Sequence, residues 1–155
     1  MIFFALALSW VKDLITKVEL RAEAIRLKAR VTREGGKIMR KVLFEGVGNT
    51  DHEVKLSSKN FDLLSRFIKE AKKSQEWLEI KPRSEKRPNK HYDIHDHNEI
   101  KRMLSSVLDQ IYGREMWTKT EHFDPLKEAL FELDKENSRK IRLKISSEQL
   151  SLETL

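Results

Sequence analysis

Apolar residues recur at Phe4, Leu8, Val11, Ile15 and Val18, with Lys12, Asp13, Thr16 and Lys17 between them. That spacing of three and four predicts an amphipathic helix over about 4–18, its stripe widened by Phe3, Trp10 and Leu14. The period then changes. In "IRLKARV", Ile25, Leu27, Ala29 and Val31 alternate with Arg26, Lys28 and Arg30, which predicts a half-buried strand, although arginine, lysine and alanine favour helix by propensity and keep that alternative open over 19–33. "REGGK" at 33–37 is a glycine turn, and "IMRKVLFEGV" reads as a second strand returning antiparallel. "GVGNTDHE" at 46–53 is a loop, and Val54 and Leu56 alternate after it.

The second half of the chain is richer in helical spacing. Phe61, Leu64, Ile68 and Ala71 predict a helix over about 59–73, with Ser58 or Asn60 as N-cap. "EWLEI" and "HYDI" read as short strands on either side of a proline-bearing segment. Ile100, Met103, Leu104, Val107, Leu108 and Ile111 form the clearest apolar stripe. They predict a helix over about 97–112, opened by the capping-box pair Asp96 and Glu99 and closed by Gly113. A fourth helix is expected over about 124–135 behind Asp124 and Pro125, with Leu126, Ala129, Leu130 and Leu133 inward. Ile141, Leu143 and Ile145 alternate with Lys140, Arg142 and Lys144 as a closing strand.

These elements amount to a single α+β domain over 1–155 with a mixed, mainly antiparallel sheet. Its parts are an N-terminal helix (1–18), a basic strand and helix region (19–94) and an acidic helical region with a C-terminal strand (95–155). The apolar stripes of Met1–Val18 and Ile100–Ile111 are the two surfaces through which a homodimer is expected. Ile2 to Leu8 is far shorter than the ~20 residues a membrane-crossing helix needs, and no lysine or arginine precedes it as in a secretory signal. The expectation is therefore no transmembrane span and a cytoplasmic protein, or a nuclear one in a eukaryote. The chain has no cysteine, so disulfides and thiolate metal sites are excluded.

Charge adds what the periodicity leaves open. Charged residues make up 36% of the chain, above the roughly 25% usual in soluble domains. They are also segregated: residues 26–91 hold 18 lysines and arginines against 9 acids, a net of +9, whereas 92–155 hold 10 against 13, a net of −3. A positive region of this size is the footprint of a polyanion partner. Nucleic acid, DNA or RNA, is the leading expectation, bound without catalysis or cofactor. The candidate phosphate contacts are Arg26, Lys28 and Arg30 on the strand and Lys81, Arg83, Lys86, Arg87 and Lys90 in "KPRSEKRPNK". Pro82 and Pro88 stiffen that loop, and Trp77 and Tyr92 flank it as stacking surfaces for unpaired bases if exposed. An acidic protein is the alternative partner for the same charge.

The order helix, strand, basic loop, strand, long helix over 59–112 resembles the second half of a winged helix. That resemblance implies a recognition helix, a two-stranded hairpin whose basic tip touches DNA, and a trailing helix that supports dimerisation. Upstream, "KVLFEGVGNTDHEVKL" reads as strand, loop and strand where a winged helix carries a helix-turn-helix. Two chemical readings stand beside it. His91, His95 and His97 with Asp93 and Asp96 are potential zinc ligands, but strand geometry spaces same-face residues about 6 to 7 Å apart and matches no zinc motif. "EIK" at Glu79–Lys81, with Asp51 or Asp62 upstream, resembles the Glu-x-Lys core of magnesium-dependent restriction-type nucleases, which implies metal-holding carboxylates and a water-orienting lysine. "EVK" at Glu53–Lys55 fits the same pattern. No phosphate-binding glycine loop, nucleophile elbow or Ser-His-Asp set is present.

Overall fold

The computed structural model of the chain describes residues 20–48, 50–73, 77–82 and 92–154. The helix expected over 4–18, with its dimer surface, lies outside them, as do Arg83, Lys86, Arg87, Lys90 and His91.

Alternation wins over helix propensity in the basic region. Strand β1 (Arg26–Glu34) and strand β2 (Lys37–Glu45) form an antiparallel hairpin paired from Arg26–Glu45 to Glu34–Lys37. Ile25, Leu27 and Ala29 are buried while Arg26, Lys28 and Arg30 are exposed. A helix could not have separated these two sets. Strand β3 (His52–Lys55) pairs antiparallel with β2, and β7 (Leu150–Glu153) lies parallel to β1, giving the order β3-β2-β1-β7. A smaller antiparallel sheet has the order β4-β6-β5, from Leu78–Glu79, Lys140–Leu143 and Phe131–Leu133. The fold is α+β, as expected.

Helix α1 (Ser58–Lys73) joins the sheets. Its buried residues Phe61, Leu63, Leu64, Phe67 and Ile68 cover a wider arc than one stripe, because the helix touches the large sheet, the small sheet and helix α2 (Asn98–Tyr112). The rings of Phe67 and Phe131 meet edge to face at 4.9 Å. The hydroxyl that caps α1 belongs to Ser57, which accepts from Asn60 N–H at 3.2 Å, not to Ser58 or Asn60. At α2 the closing Gly113 is as expected, at φ +102° and donating to Asp109 O, but the capping box is not formed: the N-cap is His97, Asp96 Oδ1 accepts from Asn98 N–H at 2.8 Å, and Glu99 N–H bonds the Asp96 backbone carbonyl.

Ile100, Met103, Leu104, Val107 and Leu108 are all buried in the chain's own core. At roughly 2 kcal/mol per buried side chain, withdrawing the five would cost on the order of 10 kcal/mol. The stripe Ile100–Ile111 is therefore not a free dimer surface, which corrects that expectation. Among the described residues, no helix is long and apolar enough to cross a membrane.

Three further expectations change. The helix over 124–135 is shorter: α3 (Asp124–Leu130) stops where Phe131–Leu133 pairs with β6, and Leu133 is left half exposed instead of inward. Ladder hydrogen bonds and the seat of Phe131 on Phe67 outweigh local helix propensity there. A five-residue π-helical turn, Lys119–Phe123, precedes α3. Finally, "EWLEI" and "HYDI" do not form a hairpin. β4 pairs with β6, and Ile80 meets Ile94 in one parallel bridge, whereas a winged-helix hairpin needs antiparallel flanks.

Candidate nucleic-acid interface

The outer face of β1 is less free than its sequence implied. Lys28 Nζ lies 3.1 Å from Glu45 Oε1, and Arg30 Nη2 lies 2.8 Å from Glu53 Oε2. Beside them Lys41, buried although it is on the outer face, bonds Glu34 Oε1 at 2.5 Å and approaches Glu53 Oε1 at 3.6 Å. The hydrogen bond between them holds Glu34 below its ordinary carboxylate value and Lys41 above its ordinary ammonium value. Cross-strand pairing thus neutralises the middle of the face by bringing Glu45, Glu53 and Glu34 beside the cations. Arg26 is exposed and makes no ion pair with the described residues.

Beyond this laced region the hairpin continues alone. β7 covers β1 only along Leu27–Arg30, and β3 covers β2 only along Lys41–Phe44. The four residue pairs from Val31–Arg40 to Glu34–Lys37 therefore form a two-stranded ribbon that no other described strand joins, reaching about 13 Å past β3 and β7. Its tip is Gly35–Gly36, both at positive φ. The neighbouring edge is closed: the Gln110 amide accepts from Lys55 N–H at 2.7 Å and donates to Lys55 O at 2.6 Å. The base of the ribbon is held by Leu56 N–H, which donates to Arg40 O at 2.9 Å, and by Val31 packed on the core; past it, from Arg33 to Ile38, no described backbone pairs with either edge.

The ribbon carries the unneutralised charge. Arg33 and Lys37 are exposed and Arg40 half-buried, and none of the three makes an ion pair with the described residues. By strand parity Val31, Arg33, Ile38 and Arg40 share one face, which bears no acid, and Ile38 is 47% exposed. Arg33 and Arg40 are diagonal neighbours there, about 7 to 8 Å apart at Cα. Sequence reasoning read 33–37 as a turn and passed over all three cations. The signal available was that "TREGGKIMRK" is basic on both sides of a glycine pair. What it lacked was the short reach of the flanking strands.

The other candidates are placed as follows. Of the loop cations only Lys81 is described, half-buried, with its N–H donating to Ile94 O at 2.8 Å. Both flanking aromatics are at least partly engaged. Tyr92 is buried, and the Arg142 guanidinium lies over Trp77 at 4.0 Å while bonded to Glu132 at 2.9 Å. Trp117 also points inward, donating to Asp109 Oδ1 at 2.7 Å and stacking on Phe123.

Asp93 serves the backbone, its Oδ2 accepting from Glu79 N–H at 3.0 Å, as does Asp96 at the start of α2. A cleft of about 510 Å³ between the starts of α1 and α2 gathers Asp62, Asp93, His95 and Glu99 with Arg66 and Arg102. Among the described residues no three His, Asp or Glu side chains converge to hold a metal ion. The zinc and nuclease readings thus lack a described ligand cluster, and Glu53, the acid of the second Glu-x-Lys, is paired with Arg30 and Lys41.

Comparison with protein-family models, with curated proteins and with solved structures finds no match to this chain. Any functional reading rests on the geometry above.

Proposed function

We propose that the chain is a non-enzymatic nucleic-acid-binding protein that contacts phosphates through the β1–β2 hairpin, with Arg26, Lys28 and Arg30 on the opposite face of β1 and the basic loop from Lys81 to Lys90 as further phosphate contacts. The observation that carries this reading is the charge of Arg33, Lys37 and Arg40, none of them in an ion pair with the described residues, on a ribbon that extends past β3 and β7. Charge on a free ribbon also prevents edge-to-edge pairing. That need is met by either sign, yet residues 30–41 hold five cations and one acid. The ion pairs of Lys28 and Arg30 are solvent-exposed and worth at most about 1 kcal/mol, so phosphates can compete for both cations.

The test is fluorescence anisotropy of labelled duplex DNA, single-stranded DNA and RNA across a salt series without magnesium. Each phosphate contact contributes about 0.9 to the slope of log affinity against log salt on duplex DNA. Replacing Arg33, Lys37 and Arg40 together by alanine is expected to flatten that slope by about 2 to 3. Absence of binding to all three at low salt would remove the reading and direct the search to an acidic protein partner.

A further inference from the structure

We infer that the hairpin arm is a groove reader for double-stranded DNA of B form, entering the major groove with the face that carries Arg33, Ile38 and Arg40. This rests on the nucleic-acid reading and narrows it.

Size comes first. Beyond the Val31–Arg40 pair, which Leu56 and the core hold, the arm is a two-stranded ribbon of three residue pairs, about 10 Å long. The major groove of B-DNA is about 12 Å wide and 8.5 Å deep and admits such a ribbon, whereas the minor groove, about 6 Å wide, does not. The arm is thus long enough to reach the groove floor while the four-stranded part of the sheet stays outside the phosphates. In A-form RNA the major groove is too deep and narrow for side chains to read, which sets duplex RNA apart.

Chemistry points the same way. Binding of single strands relies on aromatic platforms for splayed bases. The ribbon from Val31 to Arg40 has none, and elsewhere Trp77, Tyr92 and Trp117 are engaged or buried. What the acid-free face offers instead is two guanidinium forks with an exposed aliphatic side chain between the strands. Guanine presents O6 and N7 to such a fork, and thymine presents a methyl group to an apolar contact. At the tip an added Cβ on Gly35 or Gly36 would meet nothing within 4 Å, so the backbone there can approach the duplex closely.

The experiment measures affinity of the full chain for duplex DNA, single-stranded DNA and duplex RNA at matched phosphate number. A second readout is methylation interference, which separates guanine N7 in the major groove from adenine N3 in the minor groove. The expected result is duplex DNA bound at least about tenfold tighter than the other two, with interference at guanine N7. Arg33→Lys retains the charge but loses the fork. It should keep the salt slope and lose the N7 interference, a contrast that misfolding would not produce. Equal affinity for all three polymers, or interference at adenine N3 alone, overturns the groove assignment while salt-dependent binding leaves the phosphate-contact reading in place. No binding to any polymer overturns both.

Discussion

Gly46 offers the sharpest test of the packing. It follows β2 at φ +84°, and a Cβ built there would lie 2.2 Å from the Ala24 carbonyl oxygen and 2.8 Å from its carbon. Gly36, at the hairpin tip, has nearly the same φ, +80°, but a Cβ there meets nothing within 4 Å. Both alanine variants therefore carry the cost of a left-handed backbone, roughly 1 to 2 kcal/mol. Only Gly46→Ala must also displace a carbonyl by about an ångström. That carbonyl belongs to the turn Ala22–Ala24, which Gln149 holds by hydrogen bonds to Ala22 O and Glu23 O at 2.9 Å and to Ile25 O at 2.7 Å. The turn cannot retreat without loosening those bonds, so the overlap should add about 3 kcal/mol, at the upper end of single-substitution effects. Urea unfolding followed by tryptophan fluorescence measures both variants. With a slope of about 2 kcal/mol/M, Gly36→Ala should lower the midpoint by about 0.5 to 1 M and Gly46→Ala by about 2 M, at unchanged slope. Equal shifts would refute the close approach of β2's end to Ala24.

Two further outcomes are expected. Gln149→Ala removes the donor to three backbone carbonyls and should cost about 2 kcal/mol. Gln149→Glu should cost more at neutral pH, where a carboxylate faces those oxygens, and recover in acid as it gains a proton; identical behaviour of the two variants at both pH values in thermal melts would sink the assignment. Glu34 is held below the ordinary value of 4.5 by its hydrogen bond from Lys41, so its contribution is complete above that value and is lost as pH falls through the lower native one. The raised Lys41 behaves in mirror image, contributing fully below 10.5 and losing its contribution as pH rises through the higher native value. Urea midpoints followed from neutral pH into acid should fall less for Glu34→Gln than for the parent chain, and parallel curves would count against the pair.

Periodicity alone determined a good part of this fold. The alternation from Ile25 to Val31 was enough to place Arg26, Lys28 and Arg30 in solvent, because a period of two assigns faces without knowledge of what lies across the sheet. The stripe from Ile100 to Leu108, with Gly113 after it, likewise specified α2, since C-cap and stripe are local properties. Where partners distant in sequence decide, the reading failed. Leu133 was expected inward on a helix, but β6 offered 131–133 a ladder and turned it outward. "EWLEI" and "HYDI" looked like the flanks of one hairpin, yet residue 140 and its neighbours took the pairing.

The candidate site divides along the same line. Composition and its segregation are one-dimensional, so the sequence by itself determined that the region 26–91 is strongly positive and that a polyanion suits it. Which of those charges remain unneutralised was decided only by the tertiary structure, because an ion pair such as Arg30–Glu53 or Lys28–Glu45 depends on strand register across the sheet. The arm is also a tertiary product. Nothing local to "TREGGKIMRK" announces that β3 and β7 stop short of it, and the free ribbon exists because their four residues each cover less than half of the nine in β1 and β2.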